Sequence, residues 1–216
     1  MDLGAHFMDA AHYTKGAFWG RWKDNLKLLV SLVIFPLFFG YLVSILRGED
    51  PAPPVRWSWG MFVDGIKICM IWMFYIVPVI VGVMALAGSV LVLYEMEGVG
   101  AIEPLLPEII GGVLGVLVLY ILLSLFVNIA LILFARERRF FAAFSFGKIW
   151  RCIDRIGFWQ YVAAVVLVAA FSNAVIALVM LIPVDVVAFA LLALVTIPLS
   201  IFQARYYARI YDLAME

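Results

Sequence analysis

Four long apolar runs dominate the pattern of hydrophobic and polar positions along the chain. They cover residues 68–94, 109–135, 158–182 and 186–202. An α-helix rises about 1.5 Å per residue and the hydrocarbon core of a bilayer is about 30 Å thick, so a run of roughly 20 residues crosses it. The pattern therefore predicts an all-α fold: a polytopic membrane helical bundle with four long transmembrane helices in one integral domain.

A fifth apolar run, residues 28–46, is shorter and is interrupted by Pro36 and Gly40. At about 1.5 Å per residue it reaches roughly 28 Å, which barely matches the hydrocarbon thickness. This length leaves two interpretations open. The run either crosses the membrane without tilt, or it breaks at Pro36 and folds back as a re-entrant pair of half-helices that other helices cover.

Three amphipathic segments flank the apolar runs, and their pattern is typical of helices that lie in the membrane interface. They are residues 1–23, 58–67 and 145–156. Ser58 and Ser145 are expected to cap the second and third of these helices, because a serine side chain accepts a hydrogen bond from the first turn.

Composition and charge set the class and the orientation. Hydrophobic residues make up 67% of the chain and charged residues 14%, well below the roughly 25% of a soluble domain. The net charge is zero, but basic residues concentrate in residues 132–161, here called the elbow, and near the C-terminus. Residues 95–108 contain glutamates and no Lys or Arg. By the positive-inside rule, the elbow and the C-terminus are expected to be cytoplasmic.

The location of the N-terminus depends on the fifth apolar run. Lys15, Arg21, Lys23 and Lys27 precede it, so a re-entrant run leaves them cytoplasmic and a spanning run places them outside. The positive-inside rule favours the re-entrant alternative and a cytoplasmic N-terminus. An internal echo, SWGMF at 58 and SFGKI at 145, favours the spanning alternative, because a parallel repeat would make both preceding runs cross.

Two sets of residues are candidates for function. In the elbow, basic residues alternate with aromatic rings, a pattern typical of contact with anionic lipid headgroups or with another membrane protein, including a second copy of the chain. This predicted lipid or partner surface comprises Arg136, Arg138, Arg139, Lys148, Trp150, Arg151 and Arg155. The polar residues at membrane depth, where a contact between helices is favoured over a polar path, are Ser124, Asn128, Ser172 and Asn173.

Four stretches of the chain carry a family resemblance. They read GYLVSILRGED from residue 40, WGMFVDGIK from 59, FGKIWRCIDRIGFWQYVAA from 146 and QARYYARIY from 203. Together they resemble the prokaryotic membrane-protein family catalogued as domain of unknown function 4013, and the resemblance covers nearly the whole chain. It implies a small multi-pass helical protein of a bacterial or archaeal plasma membrane, without an assigned activity.

The sequence predicts no reaction chemistry. No nucleophile stands in a recognisable pattern with a histidine, and no phosphate-binding glycine loop precedes a basic residue. His6 and His12 are six residues apart and fall on different faces of a helix, so no metal site is predicted. Neither a cofactor nor nucleic-acid binding is expected.

These observations predict a non-enzymatic accessory or scaffold subunit. It would contact partner membrane proteins and anionic lipid headgroups on the cytoplasmic face. One alternative is a small transporter or channel with a site at helices broken near Pro36 and Pro78, since discontinuous helices build such sites. A further alternative is a lipid-modifying enzyme that acts near Asp64 or Asp154.

Overall fold

The computed structural model describes residues 3–98, 100 and 103–215, and this part of the chain is almost entirely helical. Its α-helices are, in chain order, α1 (Leu3–Phe18), α2 (Trp22–Val33), α3 (Phe35–Leu46), α4 (Trp59–Glu97), α5 (Leu106–Glu137), α6 (Phe146–Ile156), α7 (Phe158–Met180) and α8 (Asp185–Asp212). Short 3₁₀ turns occupy Glu103–Leu105 and Phe140–Phe144. No β-strand lies in the described residues, and the predicted all-α fold is confirmed.

Four of these helices are long and apolar enough to cross a membrane. The qualifying stretches are Trp59–Met96, Leu106–Glu137, Phe158–Met180 and Val186–Asp212. Three of them contain a predicted run in full, and Phe158–Met180 ends two residues short of its run, so the prediction of a membrane protein with four long apolar helices is confirmed. The last helix continues ten residues beyond the predicted end at 202, because no glycine or proline follows there to end it.

The predicted interfacial helix at 58–67 is not a separate element. Its residues form the first turns of α4, which continues without interruption to Glu97 and contains Pro78. Ser58 caps this helix as predicted, because its side-chain oxygen accepts a hydrogen bond from the Met61 N–H at 3.2 Å. The helix does not end at Lys67, since no glycine, proline or capping residue follows it.

The fifth apolar run is broken beside Pro36. The helices α2 and α3 meet at Ile34, whose backbone angles (φ −105°, ψ 76°) are not helical. Pro36 has no N–H to donate to the Leu32 carbonyl and its ring would clash with that carbonyl, so a break is favoured at this point, whereas proline is tolerated in the first turn of α3. Each of the two helices has 12 residues and extends about 18 Å, which is too short to cross the hydrocarbon core.

An extended segment returns from the end of α3 alongside α2. We call residues 48–58 the strap. Arg21 Nη1 donates to the Ala52 carbonyl at 2.7 Å, and Lys27 Nζ donates to the Val55 carbonyl at 3.0 Å. Farther along, Trp57 Nε1 donates to Ser31 Oγ at 3.0 Å.

The two segments match in length. From residue 21 to 31 a helix advances about 15 Å, and from residue 52 to 57 an extended proline-rich chain advances about 16 Å. The strap begins directly after α3, at Gly48, and its early residues lie beside the start of α2. The chain therefore enters and leaves the α2–α3 pair at the same place.

Two glycines bring α3 into backbone contact with the start of α4. A Cβ atom added to Gly40 would overlap the Met61 carbonyl, and one added to Gly65 would overlap the Pro36 carbonyl. Because the residue numbers rise along one helix as they fall along the other, the two helices run antiparallel here. Only glycine allows such an approach, as in close helix pairs of membrane proteins generally.

The chain divides into two compact units. Unit 1 comprises Met1–Cys69 and Asn128–Glu216, and unit 2 comprises Met70–Val127. The core of unit 1 contains large side chains with almost no exposure, among them Leu28, Ile45, Phe134, Ile149, Tyr161, Ile197 and Tyr206. The elbow helix α6 and the strap both belong to unit 1.

Unit 2 consists of the later part of α4 and the earlier part of α5, which pack on each other through glycines. A Cβ atom at Gly82 would lie 3.1 Å from a Val116 methyl, and one at Gly112 would lie 2.7 Å from a Leu86 methyl. Most of the large apolar side chains of this unit are exposed. An apolar exposed surface is what lipid-facing helices require.

Candidate functional site

The elbow folds as a 3₁₀ turn followed by α6 and a glycine stop. Ser145 occupies the position before α6, where its carbonyl accepts from the N–H groups of Lys148 and Ile149. Its hydroxyl donates to the Phe141 carbonyl at 3.4 Å, so the predicted side-chain cap is absent. Gly157 ends the helix with φ +94°, a conformation that glycine adopts without strain.

Two basic residues of the predicted surface are neutralised within the protein. Arg136 Nη2 lies 2.6 Å from Asp212 Oδ1 at the end of α8. Lys148 Nζ lies 2.8 Å from Glu137 Oε1 at the end of α5. The first pair connects the elbow to α8, the second connects α6 to the end of α5, and both charges are less available to lipid.

The remaining basic residues of the predicted surface are exposed. Arg155 Nη1 donates to the Ala214 carbonyl at 3.3 Å, a backbone contact that leaves its charge uncompensated. Arg138, Arg139 and Arg151 are exposed and pair with no carboxylate among the described residues. The free charge of the elbow therefore resides mainly on these arginines.

The helix α6 separates aromatic and basic side chains onto different faces. Its buried face consists of Ile149, Cys152, Ile153 and Ile156. Phe146 and Trp150 are exposed on one side of it and form what we call the aromatic flank. At about 100° per residue, the basic arc lies roughly 150° from this flank on the helical wheel. The basic arc comprises Lys148, Arg151 and Arg155.

The aromatic flank faces the start of a membrane-spanning helix. The Trp150 ring lies 6.3 Å from that of Phe158, the first residue of α7, and Phe158 in turn contacts Trp159 at 5.3 Å. Trp159 and Phe141 are the most exposed rings of the elbow, at 79% and 80%. Tryptophan and other aromatic rings favour the interface between headgroups and acyl chains, so this side of α6 suits the membrane surface.

A small basic pocket lies beside the basic arc. It has a volume of about 200 Å³ and is lined by Glu137, Lys148, Arg151, Cys152, Arg155 and Tyr211, among others. Burial raises the pKa of the Cys152 thiol, and the neighbouring arginines only partly oppose this. The thiol is therefore protonated at neutral pH, a state in which cysteine is a weak nucleophile.

The four polar residues at membrane depth behave in two ways. Ser172 and Asn128 form contacts between helices: Ser172 Oγ accepts from Gln203 Nε2 at 2.7 Å, and Asn128 hydrogen-bonds the buried Tyr161. Ser124 and Asn173 donate to carbonyls of their own helices, at Ile121 and Ala169 respectively.

The sequence did not predict a group of ion pairs, here called the arginine network. Arg205 in α8 is 3% exposed, and it donates to Asp9 at 3.0 Å and to Asp50 at 2.6 Å. Its guanidinium lies 4.3 Å from the Tyr13 ring centroid. Arg209 also donates to Asp9, at 3.0 Å. The network joins α1, α8 and the strap.

Electrostatics reinforce this network. Burial disfavours ionisation of Asp9, but the hydrogen bonds and charges of Arg209 and Arg205 outweigh it, so the pKa of Asp9 is below its usual value. Burial raises the pKa of Tyr13 to about 12, and its neutral hydroxyl donates to the Glu49 carbonyl at 2.9 Å. At neutral pH, Asp9 is therefore ionised and can accept from the two arginines. Tyr13 is neutral and can donate to the Glu49 carbonyl.

A second cluster lies where α3 ends. Arg47 Nη2 is 2.6 Å from Asp64 Oδ2, and Lys67 Nζ is 3.3 Å from Asp64 Oδ1. The local pair between Asp64 and Lys67 agrees with their spacing of three residues on a helix. The longer-range pair with Arg47 connects the exit of α3 to the first turns of α4.

The fold defines a class: an α-helical integral membrane protein with four apolar helices long enough to span. Within that class, the chain belongs to the family described as protein of unknown function (DUF4013), whose model matches residues 27–184. The match includes α3, the strap, α4, α5, the elbow and α7, whereas Asp9, Arg205 and Arg209 lie outside it. No curated protein and no solved structure matches the chain.

Proposed function

We propose that this protein is a non-enzymatic accessory or scaffold subunit of a prokaryotic plasma membrane. Its elbow contacts anionic headgroups at the cytoplasmic surface through the aromatic flank, Arg138 and Arg139. Its basic arc faces away from the lipid and binds an acidic region of a partner membrane protein or of a second copy. The observation that carries the proposal is the separation of exposed rings and exposed charges on opposite sides of α6.

The lipid contact is supported by exposure and by unpaired charge. Arg138 and Arg139 follow the last turn of α5 directly, and Phe141, almost fully exposed, comes two residues later. Each basic side chain near an anionic surface contributes about 1 kcal/mol to the free energy of binding. This corresponds to about fivefold in affinity per arginine.

The lipid contact is tested by native mass spectrometry of the purified chain with phosphatidylglycerol. Arg139→Gln is expected to weaken retention of this lipid about fivefold. Arg151→Gln is the matched control, because Arg151 is equally an exposed arginine without a described carboxylate partner but lies on the basic arc. Equal loss of phosphatidylglycerol in the two variants would contradict the division of the elbow into a lipid-facing side and a partner-facing side.

The partner contact is tested by crosslinking in native membranes followed by purification. Arg151→Gln is expected to reduce the yield of crosslinked partner, and Arg139→Gln is expected to leave it unchanged. If the unaltered protein purifies with neither a crosslinked protein nor enriched anionic lipid, the proposal is wrong.

The proposed orientation places the elbow, the C-terminus and the N-terminus on the cytoplasmic side, with the α2–α3 pair re-entrant. The strap supports it, because the pair begins and ends at the same place. In a background with Cys69 and Cys152 replaced by serine, a cysteine at position 96 is expected to react with an impermeant maleimide added outside, and one at position 15 is not. Labelling at both positions would overturn the re-entrant arrangement.

A small transporter or channel is the second candidate, favoured by the break between α2 and α3 beside Pro36. Half-helices that meet within a membrane expose backbone groups suited to bind ions or small solutes. Flux of a solute through proteoliposomes that is lost on replacing Pro36 by leucine would support this candidate. Absence of flux for cations, anions and small metabolites would exclude it.

A further inference from the structure

Unit 1 contains a polar cleft that lies outside the elbow. Its volume is about 520 Å³, and it lies among the later half of α3, the strap and the first turns of α4. Four charged side chains line it, two of each sign: Arg47, Glu49, Arg56 and Asp64. In ligand pockets a small number of precisely placed polar or charged groups sets the orientation and the specificity. The lining of this cleft indicates a charged ligand.

Only two of these four charges are free. Arg47 and Asp64 form an ion pair at 2.6 Å, and Lys67 adds a second cation to the same carboxylate. Glu49 and Arg56 are exposed and pair neither with each other nor with any other described charged group. The cleft therefore offers one unpaired anion and one unpaired cation on the same concave surface.

Hydrogen bonds hold the strap between these two residues. Tyr41 Oη donates to the Pro53 carbonyl at 3.4 Å, and the Trp57 indole donates to α2, so the segment between Glu49 and Arg56 is held at both neighbouring helices. Prolines stiffen it further. Two unpaired opposite charges on one cleft suit a ligand that carries both charges itself, since each end then finds a partner.

The position of the cleft indicates which zwitterionic group it binds. Trp57 and Trp59 beside the cleft are exposed, a pattern typical of headgroup depth. A guanidinium matches the fork of phosphate oxygens, and a carboxylate accepts hydrogen bonds from a primary ammonium. We propose that the cleft binds phosphoethanolamine, with Arg56 on the phosphate and Glu49 on the ammonium. This group occurs as a phospholipid headgroup and as a free ester.

The test uses the full chain in an uncharged detergent. Short-chain phosphatidylethanolamine and short-chain phosphatidylglycerol are titrated separately, and the dissociation constants are measured by microscale thermophoresis. Glu49→Gln is expected to weaken phosphatidylethanolamine binding about tenfold and to leave phosphatidylglycerol unchanged, because only the former has an ammonium. Arg56→Gln is expected to weaken both about tenfold.

Matched controls remove the same charges elsewhere. Lys15→Gln and Glu95→Gln each remove an exposed charge that does not line the cleft, and neither is expected to change the affinities. Thermal unfolding midpoints within about 2 °C of the unaltered protein verify the fold of every variant. The proposal is overturned if the unaltered chain does not prefer phosphatidylethanolamine, if Glu49→Gln affects both lipids equally, or if Lys15→Gln weakens binding as much as Arg56→Gln.

A titration with free O-phosphoethanolamine decides the source of the ligand. An affinity within about threefold of that of the short-chain lipid supports a soluble ester as ligand. Binding of the lipid alone supports a membrane phospholipid whose acyl chains add to the contact. If the assignment of the cleft is right, Glu49→Gln and Arg56→Gln weaken the binding of whichever ligand is found.

Discussion

The arginine network of unit 1 and the glycine packing of unit 2 hold helices by different means. The network joins residues that are up to 200 positions apart in sequence through charged hydrogen bonds. In unit 2, the contacts at Gly82 and Gly112 are apolar and join two helices that follow each other in the chain. Between lipid-exposed helices there is no hydrophobic driving force, so close packing must supply the attraction.

This difference assigns separate roles to the two kinds of contact. Ion pairs select which elements meet, because a guanidinium binds a carboxylate strongly only when the two groups have the right geometry. Glycine contacts set how closely two helices approach once they are neighbours. Unit 1 also contains a glycine contact, at Gly40 and Gly65, and there the obstacle to a larger residue is backbone on the opposing helix.

The largest effect is expected for Gly65→Ala. The new methyl group would overlap the Pro36 carbonyl, and neither helix backbone can move without disturbing the Gly40 contact next to it. Overpacking of this kind costs about 2–3 kcal/mol, and the thermal unfolding midpoint in detergent should fall by about 5–10 °C.

Gly112→Ala is the matched control in unit 2. Its methyl group would meet the end of the Leu86 side chain, which can rotate away, and alanine favours the helix by up to about 1 kcal/mol. The midpoint should change by less than about 2 °C. Equal destabilisation by the two substitutions would show that the backbone contact in unit 1 is not special.

A somewhat smaller effect is expected for Arg205→Gln. This change removes hydrogen bonds to Asp9 and Asp50 from a buried position and should cost about 2 kcal/mol, or about 4–8 °C in the unfolding midpoint. The loss is limited because both carboxylates remain partly exposed to water. Arg139→Gln, at an exposed site without a described carboxylate, should change the midpoint by less than about 2 °C. A similar result for the two arginines would mean that the network does not stabilise the fold.

The sequence predicted local features of this fold well. Apolar run lengths located the four long helices, Pro36 marked the break that one of the two interpretations of the fifth run requires, and Ser58 marked a helix start. Each of these depends on residues close together in the chain. Two local predictions were wrong: Ser145 does not cap α6 through its side chain, and α4 continues through residues 59–67 without a break. The continuation arises because amphipathic and apolar segments can share one helix when nothing separates them.

The candidate sites were harder to predict because they depend on residues far apart in sequence. No spacing rule connects Asp9 to Arg205, and the buried state of that arginine follows from tertiary packing alone. For the same reason, the sequence could not separate Arg136, which pairs with Asp212, from Arg138 and Arg139, which pair with no described carboxylate. A charge pattern indicates which face is basic but does not reveal which charges are already compensated.

The smallest effect is expected from acid, and it addresses the contribution of Asp9 to the arginine network. The pKa of Asp9 in the folded protein is below its ordinary value of 3.8, so the unfolded chain takes up this proton first as the pH falls. The stabilisation is therefore complete well above pH 4 and is lost as the pH falls through the folded pKa. The quantity to measure is the difference in unfolding midpoint between the unaltered protein and Asp9→Asn. It should be positive at pH 7 and pH 5 and should shrink below pH 4, because protonation and the amide remove the same charge. A difference that stays constant down to pH 3 would mean that Asp9 contributes through packing and not through its charge.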